Sequence, residues 1–210
     1  MSSSRLPGEG IFIAVTGPSG SGKTSVCKAL LAMFPRLRFS VSLTTRPRRP
    51  SEVDGEDYHF VSEAEFRERI RRGDLVEWAE NYGKLYGTSR EAMEEALRGN
   101  DLLLDVDTRG ARALKKACPG GIFVFIVPPS IGELERRLRG RGSETEETIR
   151  RRFDNALREI REIVWYDYII VNDELDAAID RLRAVYLAAA CRRERMMEKI
   201  KPFFDRSGGM

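Results

Sequence analysis

An eight-residue glycine-rich stretch near the start of the chain constrains the fold more than any other feature. Gly17 to Thr24 read GPSGSGKT and fit the pattern G-x-x-x-x-G-K-[ST]. The stretch follows a short apolar run rich in β-branched residues, Ile11 to Val15, and leads into Lys23 to Phe34, where apolar residues recur at helical spacing. A buried strand, a glycine turn and a helix in this order predict the opening of an α/β nucleotide-binding fold.

The residue types in this loop suit the phosphates of a nucleotide. Glycines let backbone N–H groups converge on phosphate oxygens, and the positive end of the following helix adds to the attraction. Lys23 can reach the β- and γ-phosphates, and the Thr24 hydroxyl can hold Mg²⁺. A chance match in a turn rich in glycine and serine is the alternative, but the position between strand and helix argues against it. The predicted ATP-binding residues are Gly17, Pro18, Ser19, Gly20, Ser21, Gly22, Lys23 and Thr24.

Further apolar runs predict the rest of the core. Leu102–Val106, Ile122–Val127 and Tyr168–Val171 resemble central strands. Helical patterns separate or follow them, at Arg109–Ala117, Ser130–Arg139, Glu144–Trp165 and from Leu175 past Ala190. Strands that alternate with helices imply a parallel sheet covered on both faces. The predicted fold class is therefore α/β, with a P-loop NTPase-type parallel sheet flanked by helices.

The texture of the sequence changes between residues 40 and 100, where arginine, glutamate, tyrosine and glycine are frequent and apolar runs are short. We interpret 40–100 as an inserted substrate-binding subdomain with two helices, near Glu63–Arg72 and Ser89–Arg98. The core of the domain is then 11–39 together with 101–190. Residues 1–10 are expected to be a flexible leader, and 191–210 a C-terminal helical extension and tail.

Composition narrows the classes of function. The 36 basic and 33 acidic residues leave a net charge of only +3, which does not suggest a nucleic-acid binder. The three cysteines are far apart without CxxC spacing, so reduced thiols are expected rather than disulfides or a zinc site. No apolar run approaches the roughly 18 residues that span a bilayer. We therefore expect a cytoplasmic protein with no membrane partner.

Polar and charged residues at three places in the sequence are suited to a second ligand. Ser40 to Pro50 read SVSLTTRPRRP, and guanidinium groups bind phosphate through paired N–H donors. A solvated basic loop is the alternative, and for Arg48 alone it is the better interpretation. Glu77 is either an ordinary strand residue or a partner for two adjacent donors on a planar base. Asp105 and Asp107 end an apolar strand, where the ligand crevice of an open α/β sheet lies.

Taken in order, these motifs resemble the guanylate kinase family from about Ile11 to Leu182. The resemblance rests on GPSGSGKT, SVSLTTRPRRPSEVDGEDYHF, LVEWAENYGKLYGTSR, LLLDVDTRGA, RLRGRGSETEETIRRR and DYIIVND. It implies transfer of the γ-phosphoryl group of ATP to GMP, with Mg²⁺ as cofactor. It also implies that 40–100 binds GMP and that about 137–153 form a mobile lid. Because no 2′-hydroxyl contact is evident in the guanine site, we expect dGMP to be accepted as well. Separately, we expect a monomer or homodimer.

The resemblance also implies roles for individual residues. The implied GMP ligands are Ser42, Arg46, Arg49, Tyr58, Glu77, Tyr86, Thr88 and Asp107. Thr88 departs from the serine of many members but keeps the hydroxyl. The implied catalytic residues are Lys23, Arg46, Arg137, Arg141, Arg152 and Asp105. Asp105 would act through a water on Mg²⁺ or by steadying Arg46, Thr24 would bind Mg²⁺ directly, and Asn172 would lie near the adenine of ATP.

Two other functions fit parts of the pattern. Guanylate-kinase-like domains also serve as non-catalytic protein-interaction modules, but those typically sit in long chains and lack an intact phosphate loop. A P-loop kinase for another small phosphorylated acceptor is the second alternative. Glu77 together with Ser42 and Thr88 favours guanine over other bases, since a carboxylate matches guanine N1–H and N2–H₂.

Overall fold

A computed structural model of the chain describes residues 10–81, 83–140 and 145–205. Residues 1–9 of the predicted leader and 206–210 of the predicted tail lie outside the described residues. The strands are β1 (Phe12–Thr16), β2 (Leu37–Phe39), β3 (Leu43–Thr44), β4 (His59–Phe60), β5 (Leu75–Asn81), β6 (Lys84–Ser89), β7 (Asp101–Asp105), β8 (Ile122–Val127) and β9 (Tyr168–Val171). The helices are α1 (Lys23–Met33), α2 (Glu63–Arg72), α3 (Arg90–Leu97), α4 (Thr108–Ala117), α5 (Ile131–Arg139), α6 (Glu146–Ile160), α7 (Leu175–Ala190) and α8 (Arg193–Asp205).

A parallel sheet in the order β2-β7-β1-β8-β9 forms the centre of the molecule. β1 lies in its middle, with Val15 opposite Asp105 of β7 and opposite Val124 of β8. All of β1 is buried, as expected for a parallel strand covered by helices on both faces. The predicted α/β fold with a parallel sheet flanked by helices is therefore confirmed.

The two edges of this sheet differ from the sequence-based expectation. Tyr168–Val171 is predicted as a central strand, but β9 lies at the edge beyond β8, and Ile170 is the one buried residue of its four. An apolar run alone does not distinguish a central strand from an edge strand that keeps one side unpaired. At the other edge, β2 was not predicted, because three residues are too few to show a periodic pattern.

Each face of the parallel sheet has its own apolar core. On one face α1 and α7 pack together, and Leu30 and Leu182 are fully buried there. On the opposite face α3 and α4 pack against the sheet through side chains that include Met93 and Leu114. Because the strands are held from both sides, the residues at their carboxyl ends have well-defined positions.

A second sheet, in the order β4-β3-β6-β5, is built from residues 43–89. β5 and β6 pair in antiparallel fashion, with a shift in register just before Glu77. Leu43, Phe66 and Leu85 belong to the small apolar core beneath this sheet. The stretch that the sequence predicts as an inserted subdomain thus contains a separate sheet with its own core.

Helices α5 and α6 form a further small core around Leu134, Leu138 and Ile149. The sequence predicts one helix over Glu144–Trp165, whereas α6 ends at Ile160 and a 3₁₀ helix continues over Arg161–Trp165. Residues 141–144, in the middle of the predicted lid, lie outside the described residues.

The C-terminal extension is a separate helix rather than a continuation of α7. The cap of α7 lies at Cys191, and α8 begins two residues later and contains Pro202. Among the described residues, no helix is both long enough and apolar enough to cross a membrane.

A buried aspartate joins both ends of the chain to the sheet. Asp101, 5% exposed, accepts a hydrogen bond from the backbone N–H of Ile11 at 2.7 Å and another from the Tyr186 hydroxyl at 2.7 Å. The guanidinium of Arg195, on α8, lies 3.6 Å from the same carboxylate. One carboxylate on β7 therefore connects the residue that precedes β1 with α7 and α8.

We predict that Asp101→Ala lowers the free energy of unfolding by about 2–4 kcal/mol, because two buried donors lose their acceptor. Urea unfolding followed by circular dichroism measures this change. The matched control is Asp180→Ala on the exposed face of α7, where the carboxylate pairs with Arg183 at the surface. We expect the control to change stability by about 0.5 kcal/mol or less. Equal effects of both substitutions would contradict the structural role of Asp101.

Candidate active site

The carboxyl ends of β1 and β7 open onto a cavity of 430 Å³. One wall is the glycine-rich loop from Gly17 to Thr24, and the opposite wall includes Glu77 and Tyr86 from the second sheet. Ligands of open α/β sheets bind at this edge, where the loops that follow the strands meet. The cavity therefore joins the predicted ATP-binding loop to part of the predicted GMP-binding residues in one space.

The loop presents the start of α1 to this cavity. Gly22 is the N-cap of α1 and has a φ of 84°, a left-handed conformation that favours glycine. Within the described residues no side chain caps the helix. The Ser25 N–H bonds the Gly22 carbonyl at 3.1 Å, whereas the N–H groups of Lys23 and Thr24 come too early in the helix for an i−4 partner. The Ser21 hydroxyl is buried without a hydrogen-bond partner in the described part of the chain. These donors suit the oxygens of a phosphate.

Asn172 contacts the backbone of the phosphate loop. Its side-chain amide, in a residue 4% exposed, donates a hydrogen bond to the Ser21 carbonyl at 2.7 Å, and it packs against Gly22 so closely that a Cβ there would collide with it. Arg137 donates to the Asn172 carbonyl at 3.0 Å and to Glu133 at 2.6 Å. The adenine contact of Asn172 stays a prediction; the observed contact is with the phosphate loop.

Lys23 and Asp105 form an ion pair at the carboxyl ends of β1 and β7. Burial lowers the pKa of Lys23, while the negative groups at Glu159 and Asp107 oppose that effect. Lys23 lines the cavity at the foot of the loop, so its ammonium group is available to a phosphate that displaces Asp105. Arg46, the alternative partner predicted for Asp105, instead donates hydrogen bonds to the carboxylate of Glu52.

The guanidinium of Arg46 is held by a residue that sequence reasoning missed. Glu52 accepts two hydrogen bonds from Arg46, at 2.7 and 3.0 Å, and one from the backbone N–H of Arg49 at 2.8 Å. The hydrogen bond from Arg46 lowers the pKa of Glu52, so the carboxylate is ionised. Its position within the arginine-rich segment was the available signal, because a carboxylate among guanidinium groups is a natural ion-pair partner.

Two tyrosines lie beside this ion pair. The Arg46 guanidinium is 5.4 Å from the ring centre of Tyr58, and the rings of Tyr58 and Tyr86 meet edge to face at 6.0 Å. Burial raises the pKa of Tyr58, so its hydroxyl remains a neutral donor. Both tyrosines line the cavity together with Ser42, whereas the side chain of Arg49 is 67% exposed and lies outside it.

Glu77 is a buried carboxylate in the wall of the cavity, with 6% of its surface exposed. The Thr88 hydroxyl donates a hydrogen bond to Glu77 Oε1 at 2.7 Å. Burial raises the pKa of Glu77 to about 7; the Thr88 hydrogen bond opposes the rise and the charge of Asp107 adds to it. Thr88 itself is only 1% exposed, so its hydroxyl contacts the Glu77 carboxylate and does not line the cavity.

Glu159 also lines the cavity, and the sequence did not predict this carboxylate. Burial and the charge of Asp107 raise its pKa to about 7, and Lys23 counteracts the rise. Glu159 belongs to α6, far along the chain from the other cavity residues, and only tertiary packing brings it to the site. No local motif marks it, which is why sequence reasoning passed over it.

Of the three arginines predicted for the lid, two do not line the cavity and the third lies outside the described residues. Arg137 is on α5 beside the phosphate loop, and Arg152 is half-buried on α6. Arg141 falls in 141–144 and so lies outside the described residues. The remaining predicted residue, Asp107, lines the cavity and caps α4 by accepting the Gly110 N–H at 2.8 Å.

The oxygen atoms that fit Mg²⁺ are those of Thr24 and Asp105, both in the cavity wall. In the described part of the chain, no group of three or more His, Cys, Asp or Glu side chains is arranged to hold a metal ion. Mg²⁺ commonly takes only one or two protein oxygens and completes its coordination with water and substrate phosphates. The donor set therefore fits an ion that arrives with a nucleotide.

A parallel sheet whose middle strand leads through a glycine-rich loop into a helix defines a P-loop protein of the NTPase type. A family model described as guanylate kinase matches residues 11–189. The chain belongs to the guanylate kinase family, as its motifs predict.

Individual relatives agree with this assignment over almost the whole chain. The guanylate kinase of Syntrophotalea carbinolica is 50% identical over 197 residues, which cover 93% of this chain and 94% of the relative. That of Geobacter metallireducens is 49% identical over 198 residues, covering 94% and 98%. A crystal structure of guanylate kinase from Anaplasma phagocytophilum superimposes with a TM-score of 0.76 at 30% identity, covering 95% of this chain and 97% of that one.

The raised pKa of Glu77 predicts a pH-dependent stability. Between the ordinary pKa of 4.5 and the value of about 7, the folded protein binds more protons at Glu77 than the unfolded chain does, so stability falls as the pH rises. Glu77→Gln removes this titration. We predict that the free energy of unfolding of Glu77→Gln, relative to the parent, improves by about 2–3 kcal/mol from pH 5 to pH 8. Urea unfolding without nucleotide measures it, and a constant difference would contradict the assignment.

Proposed function

We propose that the protein is an ATP:GMP phosphotransferase, a nucleoside monophosphate kinase that converts ATP and GMP, or dGMP, to ADP and GDP or dGDP. The observation that carries this proposal is the single cavity in which the phosphate loop faces Glu77. Residues 40–100 then serve as the GMP-binding part, 11–39 with 101–190 as the ATP-binding core, and 137–153 as the lid. The relatives named above support the same reaction.

Guanine selection follows from the hydrogen-bonding capacity of Glu77. An ionised carboxylate accepts from guanine N1–H and N2–H₂ together, and Thr88 holds Oε1 in place for that contact. Ser42 and Asp107 supply further polar groups in the cavity wall. Adenine offers an unprotonated N1 and a C2 without an amine, so the carboxylate would be left unpaired, and sites of this kind discriminate by about 10⁴-fold or more.

The phosphate of GMP is expected to bind among Arg46, Arg49, Tyr58 and Tyr86. Arg46 has five N–H donors and its fork is engaged by Glu52, so the phosphate either shares the guanidinium or displaces the carboxylate. The Tyr58 and Tyr86 hydroxyls are potential hydrogen-bond donors at the cavity wall. These contacts position the acceptor oxygen in line with the ATP bound at the loop.

Phosphoryl transfer depends mainly on positioning and on neutralising charge. Lys23 leaves Asp105 for the β- and γ-phosphates, and the loop N–H groups bind the remaining oxygens. The acceptor phosphate is already anionic, so no general base is required. Arg137 and Arg152, with Arg141 from outside the described residues, would offset the charge of the transferring group when the lid closes and excludes water.

Mg²⁺ would be held by the Thr24 hydroxyl, and by Asp105 through a bound water. When bound, it would neutralise part of the charge of the β- and γ-phosphates. Asp105 can release Lys23 to the phosphates and then serve near the metal ion, because Lys23 and Asp105 lie side by side in the cavity wall.

The cellular setting is proposed on one observation. The three cysteines, all among the described residues, are free thiols, and two of them, Cys27 and Cys118, are buried. Free thiols persist in a reducing compartment, so we place the reaction in the cytoplasm. The two alternatives, a non-catalytic interaction module and a kinase for another acceptor, are separated from this proposal by a substrate assay.

We predict that the protein releases ADP from ATP and Mg²⁺ with GMP but not with AMP or UMP, in an assay coupled to ADP production. Glu77→Ala should lower kcat/KM for GMP by about 100-fold or more, since the guanine donors lose their acceptor. Glu80→Ala, which removes an exposed carboxylate from the same strand, is the control and should match the parent. Absence of turnover with every acceptor favours the interaction module, and turnover with AMP or UMP favours the other kinase.

The proposed metal ligand gives a separate test. Thr24→Val removes the hydroxyl at nearly constant volume, whereas Thr24→Ser keeps it. We predict that Thr24→Val raises the Mg²⁺ concentration for half-maximal rate by about tenfold or more, because one ligand of the ion is lost. Thr24→Ser should remain close to the parent. Titration of Mg²⁺ at saturating GMP measures both, and equal Mg²⁺ requirements would exclude Thr24 as a ligand.

A further inference from the structure

A glycine on α4 lies directly beneath the Glu77 carboxylate. Gly110 is buried in the first turn of α4, and its N–H donates to Asp107 Oδ1 at 2.8 Å. A Cβ placed on Gly110 would lie 2.7 Å from Glu77 Oε2 and 3.3 Å from Glu77 Cδ. It would also lie 3.4 Å from Asp107 Oδ1, an ordinary contact distance. The carboxylate of Glu77 therefore occupies the space that any other residue at position 110 would fill.

The two oxygens of Glu77 have different surroundings. Oε1 accepts the Thr88 hydroxyl at 2.7 Å, while Oε2 rests against the bare Cα of Gly110. The side chain lines the cavity on its remaining side. Thr88 and the missing side chain of Gly110 thus define together where the carboxylate stands.

We propose that Gly110 is a specificity-determining positioning residue, whose lack of a side chain places the Glu77 carboxylate where it reads the guanine edge of GMP. This inference rests on the proposed function, because it takes Glu77 as the guanine ligand. In the proposed complex Gly110 does not touch the substrate and acts through Glu77.

The geometry separates this role from a role in folding. The collision caused by a Cβ falls on the free end of a flexible side chain, and that side chain borders an open cavity into which it can turn. Alanine also favours a helix more than glycine does. Gly110→Ala should therefore fold at least as well as the parent while its Glu77 carboxylate is displaced towards the guanine subsite.

The first experiment compares Gly110→Ala with Gly132→Ala. Gly132 lies in the first turn of α5, and a Cβ there meets nothing closer than Ser130 Oγ at 3.9 Å. We expect Gly110→Ala to lower kcat/KM for GMP by about 10- to 100-fold, the range for loss of hydrogen bonds to a charged group. The KM for ATP should stay within about threefold of the parent value, and Gly132→Ala should leave both constants unchanged.

A double-mutant cycle tests whether Gly110 acts through Glu77. In a Glu77→Ala background there is no carboxylate for the new methyl group to displace, so adding Gly110→Ala should change kcat/KM for GMP by about twofold at most. Additive losses in the double variant would show that Gly110 acts by another route and would overturn the proposal.

Three further outcomes are decisive. If the thermal midpoint of Gly110→Ala falls by about 5 °C or more, the glycine serves the packing of α4 and the proposal is wrong. If the parent protein turns over GMP and Gly110→Ala matches it, this inference fails while the proposed function stands. If the parent itself does not turn over GMP, the proposed function fails first, so the two failures are distinguishable.

Discussion

The register of the central parallel strands is the constraint on which the whole site depends. β1 and β7 pair so that Val15 stands opposite Asp105, and this pairing brings Asp105 to Lys23 at the foot of the phosphate loop. Because side chains alternate between the faces of a strand, a shift of one residue would turn Asp105 away from Lys23. The apolar cores on both faces of the sheet prevent such a shift, so core packing fixes the chemistry at the strand ends.

Three of the cations proposed to meet a phosphate are paired with a carboxylate in this structure. Lys23 pairs with Asp105, Arg46 with Glu52 and Arg137 with Glu133. These pairs offset the cost of partly burying each charge and keep the cations at defined positions. A phosphate group carries more negative charge than a carboxylate, so the proposed exchange of partners would favour the substrate. In the proposed function, the charges that order the site are also the ones that bind the nucleotides.

Local motifs were enough to predict much of this arrangement, and long-range packing accounts for the rest. The phosphate loop, Asp105 and Asp107 follow directly from strand ends and glycine spacing, and the structure brings them together. Glu159 could not be found in this way, because only the packing of α6 carries it into the cavity. The contact of Asn172 with the loop joins residues 151 positions apart, a distance over which no sequence pattern operates.

Burial of Glu77 creates a conflict that the neighbouring residues resolve. Burial favours the protonated carboxyl, and a protonated carboxyl has an O–H donor that can pair with the bare N1 of adenine. The proposed selection of guanine therefore requires the ionised form. The Thr88 hydroxyl favours that form, and in the proposed complex the two donors on guanine would favour it further. The carboxylate would then gain its full set of partners only with guanine, and the cost of burying it would be the source of the proposed selectivity.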